Sequence, residues 1–132
     1  MIQPTVISPA QLSELLEEET PPSLVDVRPA EEYHQKRLPG ATNHSVFDAE
    51  FAAGVLREIP FKTVPICVYG SDADGYEARM AAHKLLRAGY VDVLELRDGI
   101  DGWERAGLET EDEGSASGRI GASQGSRLVL GS

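Results

Sequence analysis

Val64-Pro65-Ile66-Cys67-Val68-Tyr69 is the most apolar and most β-branched run in the chain. A loop-like stretch, Gly70-Ser71-Asp72-Ala73-Asp74-Gly75-Tyr76, follows it and leads into a helical pattern from Glu77 to Ala88. A short strand with so little polar relief belongs in the middle of a parallel sheet, covered on both faces. Strand, short loop and helix in that order point to an α/β fold, and Gly89 is well suited to cap the helix in the left-handed conformation.

The same alternation continues on both sides. Upstream, Thr5-Val6-Ile7 reads as a short strand. Ser8 is placed as an N-cap, Pro9 suits the first helical position and Gln11 completes a capping box. Leu12, Leu15 and Leu16 form one apolar stripe, which predicts a helix to Glu19, stopped by Thr20-Pro21-Pro22. Ser23 to Val27 reads as a buried strand ending in Arg28, Pro29 to Gln35 as a short helix, and Leu38-Pro39-Gly40-Ala41 as a turn. Ala41 to His44 is extended, and Phe47 to Arg57 has near-helical apolar spacing. Downstream, Val91 to Leu96 reads as a strand and Gly99 to Ala106 as a last helix. Short connections between such elements predict helices packed around a mostly parallel sheet.

Residues 1–109 are expected to form one domain, and 110–132 a disordered tail. Glu109 to Glu113 is almost entirely acidic, and from Gly114 onward about half the residues are Gly or Ser, a linker composition. Arg127-Leu128-Val129-Leu130 is a short apolar segment within it.

Composition narrows the function. The chain has 132 residues, 41% of them apolar, enough for a hydrophobic core. No run of about 18 apolar residues suggests a membrane span. The N-terminus lacks the basic and apolar order of a signal peptide, and a lone cysteine forms no internal disulfide, so a cytoplasmic location is expected. With 22 acidic and 12 basic residues the net charge is -10, which disfavours nucleic acid and anionic membranes as partners.

Several segments together carry a family resemblance. Leu24-Val25-Asp26-Val27-Arg28, Glu31-Glu32-Tyr33 and Leu38-Pro39-Gly40-Ala41-Thr42-Asn43 resemble the opening signature of rhodanese homology domains. Ala88-Gly89-Tyr90, Val93, Leu96, Asp98-Gly99-Ile100 and Trp103 resemble the closing one. The resemblance covers about residues 5 to 108 and implies a three-layer α/β sandwich with a five-stranded sheet. It also implies that Asp26 and Arg28 support the loop that follows the central strand. Trp103 fits a core anchor better than a ligand contact.

Rhodaneses move sulfane sulfur through a cysteine persulfide, which needs a thiolate held by loop N–H groups and a helix N-terminus. By the family pattern the cysteine falls at Gly70, which has no side chain. The loop Gly70-Ser71-Asp72-Ala73-Asp74-Gly75-Tyr76-Glu77 contains no Arg or Lys, only the carboxylates Asp72, Asp74 and Glu77, and is about two residues longer than the usual sulfurtransferase loop. Each like-charge pair at about 4 Å costs about 1 kcal/mol in water and several-fold more where water is excluded, so this loop is expected to repel thiosulfate or phosphate. Arg79, in the first turns of the following helix, is expected to pair with a carboxylate rather than enter the loop.

Cys67 is the alternative persulfide carrier. It lies three residues before Gly70, roughly 10 Å back along the strand and on its opposite face, where a buried cysteine behaves as a small hydrophobe. His34, His44 and His83 show no metal-ligand spacing, and no metal or cofactor is expected. Ser71 lacks a nucleophile elbow. Asp72-x-Asp74 resembles the start of a calcium loop but has no closing bidentate glutamate, which leaves at most a weak cation site.

Three functions fit these residues. The first is a rhodanese-like module without catalysis that binds or regulates a protein partner, which would offer a basic surface to Asp72, Asp74 and Glu77. The second is a sulfurtransferase using Cys67. The third is one part of a larger assembly, joined to a catalytic partner through the tail.

Overall fold

The computed structural model describes residues 2–112. Five parallel strands, β1 (Thr5–Ile7), β2 (Ser23–Asp26), β3 (Thr42–Asn43), β4 (Ile66–Tyr69) and β5 (Val93–Leu96), form one sheet in the order β1-β5-β4-β2-β3. Four helices connect them, α1 (Pro9–Leu15), α2 (Ala30–Gln35), α3 (Phe51–Glu58) and α4 (Glu77–Arg87), and a fifth, α5 (Gly99–Arg105), follows β5. The strand expected to be central is central: β4 is buried along its whole length, between β2 and β5, with Val68 opposite Val25 and Glu95.

Alternation along the strands divides the core in two. Ile66 and Val68 point to the side of α3 and α4, where Val55, Ala81, Ala82, Leu85 and Tyr90 pack. Cys67 and Tyr69 point to the other side, against Leu12 of α1 and Ile100 and Trp103 of α5. These are the three layers of the expected α/β sandwich. Strand β2 leads outward to β3, whereas β4 leads the other way to β5, so the sheet changes winding direction between β2 and β4. Ligand sites of open parallel sheets gather at such a point, outside the carboxyl ends of the strands.

Local departures from the sequence expectations have physical causes. The Ser8–Gln11 capping box forms, but α1 ends at Leu15 instead of Glu19. Glu17 and Glu18 bond three residues back in a tightened turn, and three successive carboxylates at the negative end of the helix oppose its extension. Phe47 to Glu50 is a turn and α3 starts at Phe51, because the Ser45 hydroxyl accepts from Phe47 N and the Asp48 carboxylate from Glu50 N. Strand β5 begins at Val93, since Val91 is exposed and bonds Lys62. Gly40 holds the expected turn with φ 80°.

The domain boundary drawn at 109 falls just before a short pairing. Arg37 and Glu111 exchange both backbone hydrogen bonds, 2.9 and 2.8 Å, in an antiparallel bridge. The expectation of a disordered tail otherwise concerns residues 113–132, which lie outside the described residues.

Candidate functional site

Gly70 follows β4 directly, at the carboxyl end of the central strand, and is buried. Two helical N–H groups fix the start of the loop: Ile100 N donates to Gly70 O at 3.0 Å and Asp101 N to Ser71 O at 2.9 Å. This docking requires Gly99. Its φ is +69°, and a Cβ there would stand 2.6 Å from Ser71 C and 2.7 Å from Asp72 N. On the other side Ser71 Oγ donates to Glu32 Oε1 at 3.3 Å.

The middle of the loop is organised by its own carboxylate. Asp72 Oδ1 accepts from Asp74 N at 3.0 Å and from Gly75 N at 3.1 Å, a side-chain turn that occupies the N–H groups. Asp74 and Tyr76 point to solvent. Glu77 opens α4, and its side chain folds back over the loop. A Cβ built on Gly70 would lie 3.1 Å from Glu77 Oε1 and 3.2 Å from Glu77 Cβ, and one built on Gly75 would lie 2.2 Å from the same oxygen. The Glu77 side chain therefore crowds the place where a side chain at position 70 would begin.

Asp26 and Arg28 form a buried pair at the end of β2. Arg28 Nη2 lies 2.7 Å from Asp26 Oδ2, Nε 3.0 Å from Oδ1, and the Arg28 N–H donates to Oδ1 at 2.9 Å. The guanidinium also donates to the Lys36 and Glu32 carbonyls, which ties β2 to α2. Asn43 Nδ2 donates to the Asp26 and Arg28 carbonyls. Arg28 Nη1 comes within 3.9 Å of Glu32 Oε1, the oxygen that receives Ser71. The pair thus reaches the loop through Glu32. Sequence reasoning named this glutamate only within the family signature and gave it no role at the loop, although its i, i+4 spacing from Arg28 is the signal that would have found one.

Cys67 lies on the α1–α5 face and is fully buried. Burial pushes its thiol up to about 12, and the nearby Glu95 charge adds to the shift. Tyr69, also fully buried, accepts from Leu38 N at 3.0 Å; burial first, then the Asp26 charge, raise its phenol well above the ordinary range. Arg79 does not make the expected ion pair among the described residues; it lines an outer groove of α4 with Tyr76, Met80 and His83. The described residues include no group of three or more His, Cys, Asp or Glu side chains placed to share a metal ion, and no helix long and apolar enough to cross a membrane.

Residues 8–106 match the family described as the rhodanese-like domain. The chain belongs to the rhodanese-like family. A thiosulfate sulfurtransferase GlpE of Actinobacillus pleuropneumoniae is 34% identical over 110 residues, covering 81% of this chain and 93% of the relative. Among solved structures, a protein from Bacillus halodurans superposes with a TM-score of 0.72 at 26% identity, covering 87% of this chain and 82% of that one. The rhodanese-like domain of an Anabaena protein gives 0.70 at 25% identity, covering 96% and 95%. The resemblance read in the sequence is thus borne out for family and fold.

Proposed function

We propose that this chain is a rhodanese-like domain that has lost persulfide chemistry and acts as a binding or regulatory module for a protein partner. One observation carries the proposal: the position after β4, which we assign as the place of the family cysteine, is Gly70, and the Glu77 side chain lies close beside it. A thiolate or persulfide there would lack its atom, and any side chain at this position would be crowded by the Glu77 carboxylate. The charge argument agrees, since Asp72 and Asp74 are exposed around the same loop, and it favours a partner that brings basic or hydrogen-bond-donating groups. The net charge of -10 weighs against nucleic acid and anionic lipid as that partner. A single buried thiol suits a reducing compartment such as the cytoplasm.

The alternative carrier, Cys67, has burial, a raised thiol and its position on the α1–α5 face against it; sulfur transfer there would require the α1–α5 layer to open. The test is turnover of thiosulfate and cyanide to thiocyanate by the purified full chain. The expected rate equals the protein-free blank, and turnover at the rate of an authentic thiosulfate sulfurtransferase measured alongside would overturn the proposal.

A further inference from the structure

The outer face of α4 carries a charge pattern unlike the rest of the molecule. In a chain with 22 acidic and 12 basic residues, positions 78–91 contain no Asp or Glu and include Arg79, His83, Lys84 and Arg87. None of these four side chains has an ion-pair partner among the described residues. Helical spacing of three and four residues puts them on one stripe with Tyr76 and Met80. Tyr76 is 67% exposed and Met80 41%, and together these side chains line a groove of about 540 Å³. A second depression of similar size shares His83 and Arg87 and adds Ile2, which is 60% exposed, and Leu86.

Lys84 and Arg87 have a local explanation, because cations in a last turn complement the helix dipole. Arg79 has none. It stands near the positive end of the helix, where the dipole opposes a cation, and no carboxylate offsets it. The adjoining large apolar side chains are also left to solvent. Lys62, whose amine lies 3.0 Å from where a Cβ on Gly89 would stand, carries the positive surface past the end of α4.

We propose that this face docks an acidic amphipathic segment of another protein, one that presents Asp or Glu on both sides of one or two bulky apolar side chains. The apolar groups would enter the groove beside Met80 and Tyr76, and the carboxylates would meet Arg79, Lys84 and Arg87. From Tyr76 to Arg87 the stripe is about 16 Å long, the length of about three helical turns. A protein segment is favoured over an anionic bilayer because the remainder of the molecule is strongly acidic and would be repelled by an extended negative surface. The inference goes beyond the loss of catalysis at the loop and does not depend on it.

The test uses the 15N-labelled full chain and a synthetic amphipathic helix with glutamates flanking a leucine stripe. Two control peptides replace glutamate by lysine, or leucine by serine. Amide shifts should centre on residues 76–87 for the glutamate–leucine peptide and be weak for both controls. Arg79→Glu/Lys84→Glu, one change at an exposed position and one at a half-buried position, neither in the core clusters, should lower the affinity for that peptide by about tenfold or more and raise it for the lysine peptide. Equal binding of acidic and basic peptides, unchanged affinity in the charge-reversed variant, or no binding at millimolar peptide would each overturn the proposal. So would tighter binding to phosphatidylserine vesicles than to the peptide, which would assign the face to a lipid surface. The thiosulfate assay reads the loop separately.

Discussion

Restoring a thiol at position 70 should not by itself restore a reactive one. In Gly70→Cys the new Cβ would stand 3.1 Å from Glu77 Oε1 and 3.2 Å from Glu77 Cβ. The glutamate must yield by a few tenths of an ångström, and a thiolate one bond further out would be a close neighbour of the carboxylate, at a separation taken as about 4 Å. Like charges at that distance repel by about 1 kcal/mol in bulk water and about 4 kcal/mol at an effective dielectric of 20. The thiolate population at neutral pH should therefore be smaller by about five-fold to several-hundred-fold than in Gly70→Cys/Glu77→Ala. Alkylation by iodoacetamide follows the thiolate, so intact-mass time courses of the two variants at pH 7 read that ratio. Wild type supplies the background, because its single thiol, Cys67, is buried. Equal alkylation rates in the two variants would refute the electrostatic argument and return Glu77 to the role of an ordinary first-turn residue.

Cys67 should behave as a core atom: a thiol-disulfide reagent added to folded wild type should release no chromophore within minutes, and one equivalent after guanidinium unfolding. Prompt release in the folded state would contradict its burial and raised thiol. Asp26→Ala leaves the Arg28 guanidinium buried without its partner and should cost about 3–5 kcal/mol in urea unfolding; a loss below about 1 kcal/mol would mean that the pair does not hold the β2–α2 corner. Alkaline stability follows from Cys67 and Tyr69, both buried in the protonated form. Their folded pKa values lie above the unfolded ones, so their contribution is intact below about pH 8.5 for the thiol and about pH 10 for the phenol, and is lost as pH rises beyond those values. The slope approaches about 1.4 kcal/mol per pH unit for each group. Urea midpoints should drop between pH 9 and 11, and less so in Cys67→Ala; identical pH profiles in the two proteins would remove the thiol from the account.

The sheet was legible in the sequence because β1, β2 and β4 are short, mostly apolar runs next to a Pro, Gly or capping signal, and because Val64 to Tyr69 has no polar face; the two-residue β3, Thr42–Asn43, follows the Pro39-Gly40 turn instead of an apolar run. Helix ends were less legible. The stop of α1 depends on the cumulative charge of Glu17 to Glu19, and the late start of α3 on side-chain hydrogen bonds from Ser45 and Asp48, neither of which changes the apolar spacing. At the loop, the absence of a side chain at Gly70 and the acidity that follows could be read directly. The return of Glu77 over Gly70 could not, because it depends on the direction in which α4 leaves the sheet. The anchoring of Ser71 by Glu32 and by the start of α5 joins residues far apart in sequence. Arg79 shows the opposite error: a charge in a helix was assigned a partner by local spacing, but the structure leaves it on the outer face of α4.

The most direct test of the central claim is the intact mass of the full chain after incubation with thiosulfate and removal of excess donor. The account predicts an unmodified mass, since Gly70 offers no atom to sulfurate and Cys67 is enclosed in the core. A one-sulfur increment that cyanide removes, present in wild type and absent in Cys67→Ser, would contradict it.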